Sequence, residues 1–144
     1  MSDKVFIDTN VFIYAHDRSE PVKRDRARKL LFDAYRSDRA IISAQVLAEF
    51  FHVFAVKFGF PYADTLKELH FMSRCPVVEQ SVGLVVSAAS LFSRYSLSFW
   101  DAMIVAAAVE ASAGVLYSED MQHGLDVEGV RVVNPFSHSG AKNC

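Results

Sequence analysis

Thiols are scarce: Cys75 and Cys144 are the chain's two cysteines. Their placement makes neither a metal-ligand spacing nor a disulfide framework, which excludes a structural zinc module and a cystine-stapled scaffold. Histidine offers no metal set either, because His16, His52, His70 and His138 lack ligand-like spacing. Long apolar runs are absent, and the longest falls far short of the roughly 20 residues that span a bilayer. Met1-Ser2-Asp3-Lys4 leads directly into an apolar stretch with no secretory signal before it, so a cytoplasmic location is expected. No internal repeat or low-complexity tract occurs. A net charge of −2 argues against a general nucleic-acid coat.

What is present fits one globular domain: 144 residues, 51% hydrophobic and 22% charged. The organising stretch is Lys4 to Asn10, where Val5-Phe6-Ile7 reads as a buried strand that stops on Asp8, Thr9 and Asn10. Helices are predicted over 11–15, 21–37, 44–58, 62–74, 81–95 and 99–113. Strands are predicted at 40–42, 76–79, 115–117 and 130–133. Pro21 opens the second helix, and Gly59-Phe60-Pro61 closes the third. The helix from Phe99 to Ala113 is apolar on all faces, as expected of one buried on several sides. Strands alternating with helices imply a parallel sheet, at whose carboxyl edge ligands bind.

Four acids can reach that edge. Asp8 and Asp120 follow strands, while Glu49 and Asp101 lie in early turns of helices. Each has a plainer reading. Glu49 falls off the apolar arc of Val46, Leu47, Phe50, Phe51, Phe54 and Phe58 and so reads as a surface residue. Asp101 closes a capping box with Ser98, and Asp120 caps a turn. None of these readings requires the four to converge, whereas a divalent-metal site for phosphodiester cleavage does. Clustered carboxylates repel in a partly dry cleft and call for a cation, and all-oxygen ligands suit Mg²⁺ or Mn²⁺. From Arg18 to Arg39, eight basic residues against four acidic ones give a local +4. That face can meet phosphates or simply face water.

The blocks Phe6-Ile7-Asp8-Thr9-Asn10, Ser43 to Glu49, Leu97 to Ala102, Leu116 to Asp120 and Gly129 to Phe136 occur in an order that resembles PIN-domain ribonucleases, and closely the VapC-type toxins of toxin–antitoxin pairs. The resemblance implies a three-layer α/β/α sandwich with a central parallel sheet. A single PIN domain would occupy residues 1–136 and a flexible C-terminal tail 137–144. It implies an Mg²⁺-dependent endoribonuclease, with Mn²⁺ able to substitute, that hydrolyses RNA by metal-activated water. Asp8, Glu49 and Asp101 carry over as metal ligands, Asp120 as the fourth acid, and Thr9 and Ser118 as hydroxyls that position an acid or water. A cognate antitoxin and homodimerisation are implied by the same likeness. At the fourth acid, family members differ, some having Asn there and an acid further on, where this chain has His123. Glu119 is an alternative to Asp120. Three other readings are a PIN nuclease of RNA processing or DNA metabolism without an antitoxin, a receiver-like phosphoacceptor module, and a catalytically silent binding domain. The receiver reading expects an early acidic pair and a lysine after a late strand, which this chain lacks.

Overall fold

The computed structural model describes residues 2–137; His138, Cys144 and all but the first residue of the expected tail lie outside the described residues. Strand β1 (Val5–Ile7) is followed by helices α1 (Thr9–Tyr14) and α2 (Pro21–Arg36), then β2 (Ala40–Ser43), α3 (Ala44–Phe51) and a π-helical turn (His52–Lys57). Next come α4 (Tyr62–Met72), β3 (Val77–Val78), α5 (Val82–Arg94), α6 (Phe99–Glu110), β4 (Val115–Tyr117), β5 (Asp126–Val127) and β6 (Val130–Val133). The strands form one sheet in the order β3-β2-β1-β4-β6-β5. Every pairing is parallel except the β5–β6 hairpin. Consecutive residues of β1 and β2 are all buried, which requires cover on both faces of the sheet. The layers are therefore α/β/α.

Chain order reverses on either side of β1: β2 and β3 lie outward on one side, β4 and β6 on the other. The gap above β1 and β4 is thus a topological switch point, where a parallel sheet opens a crevice at its carboxyl edge. Backbone pairing continues past both strands, Asp8 N–H donating to the Tyr117 carbonyl at 3.0 Å and Ser118 N–H to the Val133 carbonyl at 3.1 Å. Residues just beyond the strands are therefore held as firmly as the sheet itself. Helix α6 lies across β2, β4 and β6, and Ala102 to Ala108 are buried without a break. This matches the expectation from its uniformly apolar sequence.

Several boundaries differ from expectation for local reasons. Helix α1 begins at Thr9, two residues early, because Asp8 adopts an extended backbone and its carboxylate accepts from Thr9 N–H at 2.7 Å. The third helix is α only to Phe51. The π turn, closed by Phe58 N–H on the Val53 carbonyl, adds a residue to the turn and leaves Phe58 exposed rather than on the predicted arc. Helix α6 stops at Glu110, where Ser112 takes a left-handed conformation (φ 56°) and Ala113 N–H reaches back to the Ala108 carbonyl. The antiparallel β5 was not expected at all. No single helix among the described residues is long and apolar enough to cross a membrane.

Gly114 lets two segments touch, since its N–H donates to the Lys4 carbonyl at 2.9 Å and a Cβ there would collide with the backbone of Ser2. Gly114→Ala should displace the residues leading into β1 and lower stability by about 1–3 kcal/mol. Urea denaturation measures this, and an unchanged midpoint would contradict the close approach.

Candidate active site

Each candidate acid reaches the switch point from a different element. Asp8 follows β1 and is 4% exposed; Ser118, fully buried after β4, donates its hydroxyl to Asp8 Oδ2 at 2.8 Å. Ser43 ends β2 and at once caps α3, so no loop intervenes, and Glu49 is projected one and a half turns later. The Thr9 hydroxyl donates to Glu49 Oε1 at 3.1 Å. Asp101 lies in the first turn of α6, whose cap is the Ser98 hydroxyl accepting from Asp101 N–H at 3.1 Å. Only that half of the expected capping box forms among the described hydrogen bonds, and the Asp101 carboxylate lines the cleft. Asp120 is exposed and accepts from Asn10 Nδ2 at 3.1 Å, while its own N–H donates to the Ser118 hydroxyl.

Asp8, Glu49, Asp101 and Asp120 all line one pocket of about 330 Å³, with Thr9, Asn10, Trp100 and Glu119. Among the described residues no Lys, Arg or His lines it. Burial pushes the Asp8 carboxyl from the ordinary 3.8 up to about 7; the Ser118 hydroxyl and Thr9 N–H oppose this, and Asp120 and Glu49 add to it. Burial likewise raises Asp101, with the Ser98 hydroxyl opposing and Asp120 reinforcing. A mutually repelling acidic pocket of this kind favours a cation. The donors are all hard oxygens, the chemistry that Mg²⁺ and Mn²⁺ accept. Among the described residues, no three His, Cys, Asp or Glu side chains close on a single point. The acids border the pocket, an arrangement suited to an ion that keeps several of its waters.

The two neighbouring acids after β4 part company. Glu119 accepts from the Tyr14 hydroxyl at 2.8 Å and pairs with Lys23 at 2.6 Å. Lys23 Nζ also stands 4.6 Å from the centre of the Tyr14 ring, and Phe136 packs edge-on to that ring. The Lys23 ammonium is raised, first by its bond to Glu119. Among the described residues Asp120 pairs with no cation, so of the two acids that line the pocket it is the one whose charge is unanswered. His123 accepts from Asn134 N–H through Nδ1 at 3.0 Å, a turn-bracing contact.

Sequence reasoning missed Asn10 as a bridge. Its amide nitrogen reaches Asp120, and its oxygen accepts from Glu119 N–H at 3.3 Å, tying α1 to the segment after β4. A polar side chain two residues after the buried acid was the available signal. Trp100, on the rim, was missed as well.

A PIN domain family model matches residues 5–124. No curated protein matches in sequence. Among solved structures, a toxin–antitoxin complex from Klebsiella pneumoniae is similar with a TM-score of 0.67 at 21% identity, over 92% of this chain and 98% of that one. Mycobacterium tuberculosis VapC20, a toxin that cleaves the sarcin–ricin loop, matches at 0.66 and 19% identity over 89% and 99% of the two chains. VapBC2 from Rickettsia felis, bound to a promoter DNA fragment, matches at 0.62 and 18% over 89% and 96%. At these identities the structures establish a common fold.

The raised Asp8 carboxyl has a consequence for stability. The folded chain holds this proton to higher pH than the unfolded chain, so the metal-free fold loses stability as pH climbs from about 4 to about 7. The loss should be about 2–4 kcal/mol. Asp8→Asn cannot ionise and should flatten that fall, leaving the variant the more stable protein above about pH 7 in EDTA. Urea midpoints across pH test this, and parallel curves for the two proteins would refute it.

Proposed function

Because the chain belongs to the PIN domain family, we propose that it is an Mg²⁺-dependent endoribonuclease and the toxin of a toxin–antitoxin pair, with Mn²⁺ able to replace Mg²⁺. The observation that carries the reading is the pocket at the switch point, bordered by Asp8, Glu49, Asp101 and Asp120 and lined, among the described residues, by no basic side chain. Support for the biological role comes from fold likeness to toxin–antitoxin proteins, one of them a toxin that cleaves the sarcin–ricin loop.

Asp8, Glu49, Asp101 and Asp120 are the residues that would hold the metal. Magnesium bound there supplies Lewis-acid chemistry, acidifying water and drawing charge from the phosphoryl oxygens. The chain's own part is to keep the acids in place beforehand. Ser118 and Thr9 N–H fix the two oxygens of Asp8, the Thr9 hydroxyl steers Glu49, and Asn10 steers Asp120. Holding these groups before substrate arrives removes reorganisation from the reaction step. Water attacks phosphorus in line with the departing 3′-oxygen, so no covalent enzyme intermediate forms. The products carry 5′-phosphate and 3′-hydroxyl ends. An antitoxin and a second copy of the chain are the proposed partners.

Asp8→Ala should abolish RNA cleavage with the fold intact by circular dichroism, and calorimetric Mn²⁺ binding should weaken with it. Retained cleavage at saturating Mg²⁺, or 2′,3′-cyclic phosphate ends in wild-type digests, would refute the assignment. Growth arrest on expression, relieved by a small co-encoded protein, separates a toxin from an RNA-processing or DNA nuclease of the same fold.

The split between Glu119 and Asp120 yields a sharper comparison. Asp120→Asn should reduce cleavage by about tenfold or more, as loss of one preorganised charge commonly does. Glu119→Gln keeps a hydrogen-bonding partner for Tyr14 and should cost far less. The reverse ranking in single-turnover assays would move the fourth acid to Glu119.

A further inference from the structure

Trp100 is the chain's single tryptophan, yet it is 65% exposed while smaller apolar residues of its own helix are buried. It stands immediately before Asp101 in the first turn of α6 and forms part of the pocket rim. Two contacts fix that turn. Gln45 Nε2 donates to the Trp100 carbonyl at 3.2 Å, and the indole packs edge-to-face on Phe99 with ring centres 5.6 Å apart. The indole is thus held beside the acids by its edge and backbone, with most of its surface left to solvent. Among the described residues, the Gln45 side-chain oxygen next to it is buried and has no hydrogen-bond partner. The amide cannot be turned round to mend this, because its nitrogen is needed to face the Trp100 carbonyl oxygen. Orphaned buried acceptors are rare.

Resting on the nuclease reading, we propose that Trp100 is a stacking platform for an unpaired base of the RNA strand whose phosphate lies against the acidic pocket. An exposed aromatic face beside a phosphate path is how proteins hold single-stranded nucleic acid, since every base has a π-face. A base still paired inside a duplex has no free face to offer, so the platform selects single-stranded or looped RNA. The pocket volume, about 330 Å³, is at the lower end of the roughly 300–1,000 Å³ of small-ligand sites. That suits one nucleotide better than a folded partner's surface. A second protein chain covering the indole is the competing occupant.

A single tryptophan makes the test direct, because fluorescence excited at the red edge, beyond the absorption of the five tyrosines, reports on this indole alone. Asp8→Asn protein, disabled for cleavage, is titrated in Mg²⁺ with a short mixed-sequence single-stranded RNA and with an abasic ribose-phosphate strand of equal length. The base-bearing strand should quench the indole and the abasic strand should not. In the same background, Trp100→Ala should weaken binding of fluorescently labelled RNA by roughly five- to a hundredfold, and Trp100→Phe by less. Equal binding by Trp100→Ala, or equal quenching by the abasic strand, would overturn the proposal while wild-type cleavage leaves the nuclease reading standing. Fluorescence that changes with protein concentration but not with RNA would place a second copy on the indole and also overturn it. Failure of wild-type protein both to cut and to bind RNA in Mg²⁺ removes the nuclease reading and this inference together.

Discussion

The hydrogen bond from the Ser118 hydroxyl to Asp8 joins the ends of two adjacent parallel strands and keeps a carboxylate where water cannot solvate it. The rest of the cleft is arranged around this contact. Asp8 caps α1 with one oxygen and takes Ser118 with the other, so its orientation is settled by the sheet and the first helix together. Its charge is opposed by burial and by two further acids, and among the described residues no basic side chain lines the pocket to answer it. A group held so firmly against its own ionisation weakens the empty fold and strengthens attraction for a cation. Both effects have one electrostatic source.

The other acids are delivered by secondary structure that leaves little slack. Ser43 is at once the last residue of β2 and the cap of α3, so the position of Glu49 follows from the strand without an intervening loop. Asp101 opens a helix whose next seven residues are packed on every side. Such a helix cannot slide or rotate without opening voids, and each methylene lost from contact costs about 1 kcal/mol. The hydrophobic core therefore sets the geometry of the polar site.

The broad architecture was legible because it rests on periodicity: β1, β2, β4, β6 and the all-apolar α6 are visible as apolar runs between polar stops. So was the convergence of Asp8, Glu49, Asp101 and Asp120 on one edge, which follows from strand–helix alternation. Hydrogen-bond choices between non-local partners were not legible. The Asn10 side chain bridges to residues more than 100 positions away, and its place two residues after Asp8 marks it as polar without naming those partners. The π turn at His52–Lys57 escaped because its one-residue insertion leaves the apolar pattern nearly helical. Hairpin strand β5 is only two residues long and has an exposed Asp126, too short for an alternation signal. The half-formed capping box at Ser98 shows a further limit, since the motif names two bonds and the fold makes one.

Consecutive acids at Glu119 and Asp120 follow β4, and sequence alone treats them as near equivalents. The fold separates them by the partners each meets. Glu119 meets both of the first two helices, Lys23 of α2 and the Tyr14 hydroxyl at the end of α1 holding its two oxygens while Phe136 packs on Tyr14. Its charge is largely answered, and it serves to pin the segment after β4 against the second helix. Asp120 lines the same cleft, where Asn10 supplies a neutral donor and, among the described residues, no cation pairs with its charge. Lys23, drawn from the basic stretch of α2, thus acts on the cleft without entering it: by occupying one acid it leaves the next one free. Part of what reads in sequence as a solvated basic face is thereby committed to the geometry of an acidic site.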